Sequence, residues 1–175
     1  MPKDPSTVAI AATARWRARI VAAAASAGIS IADPQAGVPG IRVLTCASGD
    51  LGAIVPRLAH DDPPHPAPPR PAIGAHSDSI ADRELRDAVA DVAALLSLHG
   101  NVVLDLDAGG RRHRPGRPDV VVSAGVDRPQ WTEPAVTLPV GRNRRGTPLT
   151  VALTADPRFE AALLELARLV EADAA

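Results

Sequence analysis

Apolar positions recur along this chain in two rhythms. Alternating or continuous apolar runs occur at Thr7–Thr13, Ile41–Cys46, Ala72–Ala75, Asn101–Asp107, Asp119–Ala124, Ala135–Val140 and Leu149–Thr154. Runs of this length and pattern predict strands, and Ile29–Ala32 adds a shorter candidate. Helical spacing appears between them: Trp16, Ile20, Ala23 and Ala27; then Leu85, Val89, Val92 and Leu96; then Phe159, Leu163, Leu166 and Val170. A shorter helix is predicted over Asp50–His60, broken or started late by Pro56.

The element ends carry their own signals. Thr13 offers a hydroxyl to cap the first helix, and Gly28 can close it in the left-handed conformation. Ser79 or Asp82 starts the long middle helix, and Gly100 follows it. Asp156 with Pro157 behind it starts the last helix. On the middle helix Arg83, Arg86, Asp87 and Asp91 fall opposite the apolar stripe; on the last helix Glu160, Glu165, Arg168 and Glu171 are assigned to the outer face. Strands alternating with helices predict an α/β fold, a mixed, largely parallel sheet flanked by helices. The strand–helix–strand order around Leu85–Leu96 puts strand Val102–Leu106 at the centre, parallel to Val120–Val122.

Asp61–Pro71 (DDPPHPAPPRP) is the clearest interruption, since prolines remove donors and hold the chain extended. The chain is therefore divided into a small α/β half (1–60), a connector (61–71) and a C-terminal α/β region (72–175), expected to pack as one unit. His65 in the connector reads as solvated.

Composition narrows the function. The hydrophobic fraction is 46%, drawn mostly from Ala and Val, with one Phe, two Trp and no Tyr. That is enough for a core, one of closely spaced small side chains. A formal charge of −1 supplies no field for nucleic acid or an anionic membrane, so neither is expected as a partner. One cysteine, Cys46, excludes an internal disulfide and suits a reducing cytoplasm. The opening residues MPKDPS lack the charged-then-apolar pattern of a secretion signal. The richness in Pro, Ala and Arg suggests a bacterial source.

Candidate chemistry is sparse. Ser48, at the end of a strand, is placed where open α/β sheets bind ligands, although capping the following helix is the simpler role. Ser77 lies between His76 and Asp78, but sequence neighbours seldom converge in space. Cys46 within an apolar strand reads as a small buried hydrophobe. The five histidines (60, 65, 76, 99 and 113) have no metal-ligand spacing, so no metal and no cofactor is expected. Arg111, Arg112 and Arg114, beside Gly109-Gly110 and His113, could hold a phosphate or carboxylate. Arg142, Arg144 and Arg145 form a second basic turn. Trp131 is either a lid over a cleft or a plug in the core.

Some motifs in the second half are more specific. Pro134, Pro139-Val140-Gly141, Gly146, Pro148-Leu149, Leu163-Leu164, Ala167 and Glu171 follow in order. Before them come Ile73-Gly74, Leu85-Arg86-Asp87-Ala88, Gly100-Asn101-Val102-Val103 and Arg117-Pro118-Asp119-Val120-Val121-Val122. Over about residues 71–172 this resembles the C-terminal part of the amidase signature family, Ser-dependent amide hydrolases with an α/β fold around a mixed sheet. The chain departs from the pattern at Ser123-Ala124-Gly125, where the family carries a proline.

The resemblance implies a fold more than an activity. The family's catalysis uses a Gly- and Ser-rich loop and a Ser, cis-Ser, Lys triad, in which a neutral lysine takes the proton that activates the nucleophile. Here Lys3 is the single lysine, and no Ser-Ser pair is present. Arginine cannot take over as base, because its pKa is too high. The expectation is a truncated or degenerate amidase relative, non-catalytic, with a retained surface for a second subunit or a small amide or carboxylate ligand. Two alternatives stand beside it. One is an active amide hydrolase completed by another chain or using Ser48 or Ser77. The other is a regulatory module, since strand Thr7–Thr13 and helix Ala14–Ala27 look loosely like a receiver domain, without its clustered acids and strand-end lysine.

Overall fold

The computed structural model describes residues 7–32, 40–59, 71–76, 80–99, 103–105, 118–125 and 133–174. Its strands are β1 (Thr7–Thr13), β2 (Ile41–Ala47), β3 (Ile73–Ala75), β4 (Val103–Asp105), β5 (Val120–Ala124), β6 (Ala135–Arg142) and β7 (Pro148–Ala155). The helices are α1 (Ala14–Ser26), α2 (Leu51–Ala59), α3 (Arg83–Leu98) and α4 (Glu160–Ala174), the last preceded by a 3-10 turn at Pro157–Phe159.

The seven strands form one sheet in the order β2-β1-β6-β7-β5-β3-β4. The first-half strands therefore continue the second-half sheet, through β1 against β6. Contrary to the largely parallel expectation, the sheet is mostly antiparallel. β1–β2, β1–β6, β6–β7 and β5–β7 are antiparallel, and only β3–β4 and β3–β5 are parallel. Alternation within a strand fixes its buried face but not its neighbours, and here a tight hairpin and long returns set the directions. Val103–Asp105 is likewise not central. Among the described strands β4 is at the margin, running parallel to β5 with β3 between them. The Ile29–Ala32 strand shrinks to one bridge, Ala32 with Thr45. β1 and β2, joined through α1, are antiparallel, so they do not form the parallel unit a receiver-like half requires.

One parity of side chains along the strands faces the helices. Val8, Ile10, Leu44, Ile73, Val122, Val136, Leu138 and Leu153 meet Ile20, Leu51, Ile54, Val89, Leu96, Leu163 and Val170 in a single core. The helices form one layer over that face, with α1 packing on α2, α2 on α4, and α4 on α3. The opposite parity gathers Ala11, Ile41 and Ala135, with Val43 against them and no helical residue. The described helices thus share one face instead of flanking the sheet on both.

Local chemistry explains the hairpin that closes the sheet. Pro139 lies beyond the stretch of β6 paired with β1, so its missing N–H breaks no ladder there, and the register with β7 shifts between Pro139 and Gly141. In the turn, the Asn143 side chain accepts from the N–H groups of Arg145 and Thr147, both at 2.9 Å, and Gly146 takes φ +81°. Gly125 follows β5 and lies close against β7. Its N–H donates to Thr150 O at 2.8 Å, and a Cβ there would lie 2.6 Å from Thr150 Cγ2.

Candidate functional site

The strand end singled out by Ser48 is the start of the first candidate site. β2 ends at Ala47, residues 48–50 turn, and α2 begins at Leu51. Such a turn exposes unbonded N–H groups at a helix start, a natural hole for an anion. Here it is filled from within. Glu171 on α4 accepts from Gly49 N–H at 2.8 Å and from Gly52 N–H at 3.2 Å. Asp50 folds back to accept from Ala47 N–H at 2.9 Å. The far end of α2 is met by Arg19 of α1, whose guanidinium donates to Leu58 O at 2.8 Å while lying over the Trp16 ring.

A second carboxylate works the same way three turns earlier on α4. Glu160 accepts from Thr13 N–H at 2.8 Å and from the Thr13 hydroxyl at 2.7 Å. The Thr13 hydroxyl is thus a donor to α4 and does not cap α1, which has no side-chain cap bond. Glu160 and Glu171 are 2% and 5% exposed, which corrects their assignment to the outer face. Eleven residues on a helix make just over three turns, so both point from one face of α4. Burial pushes both carboxyls above their ordinary range; the Thr13 donors oppose this for Glu160, and the Gly49, Gly52 and Leu51 N–H groups oppose it for Glu171.

Cys46 lies beneath this turn. Burial first, then the charges of Asp50 and Glu171, push its thiol up to about 12. A thiol so reluctant to ionise is inert as a nucleophile. Ser48 itself is exposed in the turn.

A second site was not visible in the sequence. A cleft of about 570 Å³ opens between α3, the last turn of α4 and the β6–β7 hairpin. Ala88, Val92 and Leu95 of α3 line it with Val140, Leu149 and Val170. Its charged lining is Glu84, Asp87, Asp91 and Asp173, with Arg142 and Arg144 at the hairpin. These arginines belong to the second basic turn, and both are engaged: Arg142 donates to Gly146 O at 2.6 Å, and Arg144 lies 3.5 Å from Glu84. Each lining residue falls in a periodic pattern on its own element. Only the juxtaposition of three elements distant in sequence makes the cleft.

The other candidates, Ser77, Arg111, Arg112, Arg114 and Trp131, lie outside the described residues. Among the described residues no cluster of His, Cys, Asp or Glu has the makings of a metal site, and no helix is long and apolar enough to cross a membrane.

The architecture is α/β, a mixed and mostly antiparallel sheet with the described helices over one face. No protein-family model matches the sequence, and no curated protein matches it. The fold is similar to that of 6-aminohexanoate cyclic dimer hydrolase complexed with its substrate, with a TM-score of 0.57 at 13% identity over 96% of this chain and 60% of that one. The same hydrolase without the complex gives a TM-score of 0.57 at 14% identity, over 95% and 60%. The chain thus spans about 60% of the length of these solved proteins, and the likeness is one of fold.

Proposed function

We propose that this chain is a non-catalytic relative of amide hydrolases that keeps the fold as a binding scaffold. One observation carries the reading: the N–H groups nearest Ser48, which an acyl-transfer site would aim at a substrate oxyanion, are held by the chain's own Glu171. A nucleophile at Ser48 would also need a base to take its proton, and the carboxylates beside it are engaged with backbone N–H groups. The single lysine at position 3 and the inert Cys46 thiol agree with this. The fold likeness supports kinship with amide hydrolases, and the cleft between α3, α4 and the hairpin is the retained binding surface.

A fluorophosphonate probe followed by peptide mapping tests the reading. No serine is expected to be labelled. Stoichiometric labelling of Ser48 or Ser77 overturns it. The competing reading, a hydrolase completed by another chain, draws on the 60% coverage of the related structures. It predicts a stable complex with a partner in native mass spectrometry and labelling only in that complex.

A further inference from the structure

The cleft has a shape and a charge pattern that together select an occupant. The wall from Glu84 to Leu95 is three turns of α3, about 17 Å long. Residues of α3 line one side of it lengthwise and β6–β7 residues line the other, so the cleft is elongated. An elongated cleft of this kind suits an extended chain lying along α3. The volume is in the range of small-molecule sites. The floor, built from Ala88, Val92, Leu95, Val140 and Leu149, offers neither donor nor acceptor from its side chains.

The charges around that floor are not equivalent. Glu84 is occupied, accepting from Arg144 N–H at 3.2 Å beside the Arg144 guanidinium. Asp87 faces Arg83 at 3.8 Å. Arg142 is turned onto the hairpin's own Gly146 carbonyl. Asp91 of α3 and Asp173 of α4 remain, and no hydrogen bond or ion pair engages either among the described residues. The last turn of α4 contributes no basic side chain to offset Asp173. The charges left free are therefore negative, come from two different helices, and border an apolar slot.

We propose that this cleft binds a linear aliphatic molecule with a cationic head, a primary amine or guanidine, whose head lies between Asp91 and Asp173 and whose chain lies along Ala88, Val92, Leu95 and Leu149. This rests on the reading of the chain as a binding scaffold and names the chemistry of its surface. Burying the alkyl chain supplies the attraction, and the two carboxylates supply the preference for a cation.

The test is an amide NMR titration of the full chain with n-hexylamine, n-hexanol and n-hexanoate as probes. Hexylamine is expected to shift the amides of Ala88, Val92, Leu95 and Leu149 and to bind about tenfold more tightly than the other two, with the preference shrinking as salt is raised. In Asp91→Asn/Asp173→Asn, hexanol should bind as before while the amine preference disappears. Both side chains are on the surface, so this variant should fold, and its unshifted spectrum away from the cleft checks that. Equal binding of all three probes, a preference for hexanoate, no shifts at the cleft, or an amine preference that survives the double substitution would each overturn the proposal. Serine labelling by the fluorophosphonate probe would overturn the non-catalytic reading alone and leave the amine result standing.

Discussion

α3 and α4 are neighbours of similar length, and both carry acidic residues beside an apolar stripe. They use those acids in opposite ways. α4 turns Glu160 and Glu171 inward, where each serves N–H groups at the start of another helix. α3 turns Asp87 and Asp91 outward onto the rim of a cleft. The difference is not in the helices. It lies in what faces them: α4 is packed over the starts of α1 and α2, whose free N–H groups need acceptors, whereas the acidic side of α3 faces a slot and solvent. An acid on a helix is thus structural or available depending on the backbone opposite it.

The strongest break in this contrast should come from Glu160→Ala. It removes both acceptors of a buried group and leaves the Thr13 donors unmet, a loss of about 2–3 kcal/mol by urea denaturation. Glu171→Ala should cost less, about 1–2 kcal/mol, because Gly49 and Gly52 are exposed and water can take over their N–H groups. Gly125→Ala should cost about 1–3 kcal/mol, since its Cβ would collide with Thr150. If Gly125→Ala proved neutral, the close approach of β5 to β7 described here would be wrong.

Acidity gives a gentler test. Both buried glutamates hold their protons more tightly in the folded chain than at the ordinary value of 4.5. Just above that pH the folded chain binds more protons than the unfolded one. The share of stability owed to these groups is therefore whole below about pH 4.5 and declines as pH rises, until both have ionised. Glu160→Ala/Glu171→Ala should lose that decline. The smallest effect belongs to the exposed Arg83–Asp87 pair, whose removal by Asp87→Asn should change stability by less than about 0.5 kcal/mol.

Much of the second half was legible in advance. Ala135–Val140, the Gly146 turn, Leu149–Thr154, the Asp156 cap and the last helix appear with small shifts of boundary, because alternation, turn chemistry and capping there agree with the final packing. β1 and the long α3 were equally plain. Pairing was not legible. Nothing in Val103–Asp105 says that β3 intervenes between it and β5, since a strand's pattern records only its two faces. The acids of α4 were misplaced for a related reason. Glu160 and Glu171 look like surface residues until Thr13, Gly49 and Gly52, over a hundred positions away, supply donors. The cleft went unseen because it belongs to three elements at once, and Ser48 drew notice at a turn whose donors are already taken.

Comparing two double variants by urea denaturation tests the central contrast most directly. Glu160→Ala/Glu171→Ala should lower stability by about 3–5 kcal/mol, while Asp91→Asn/Asp173→Asn should stay within about 0.5 kcal/mol of the parent chain. Equal losses in the two, or a larger loss in the cleft variant, would contradict that contrast.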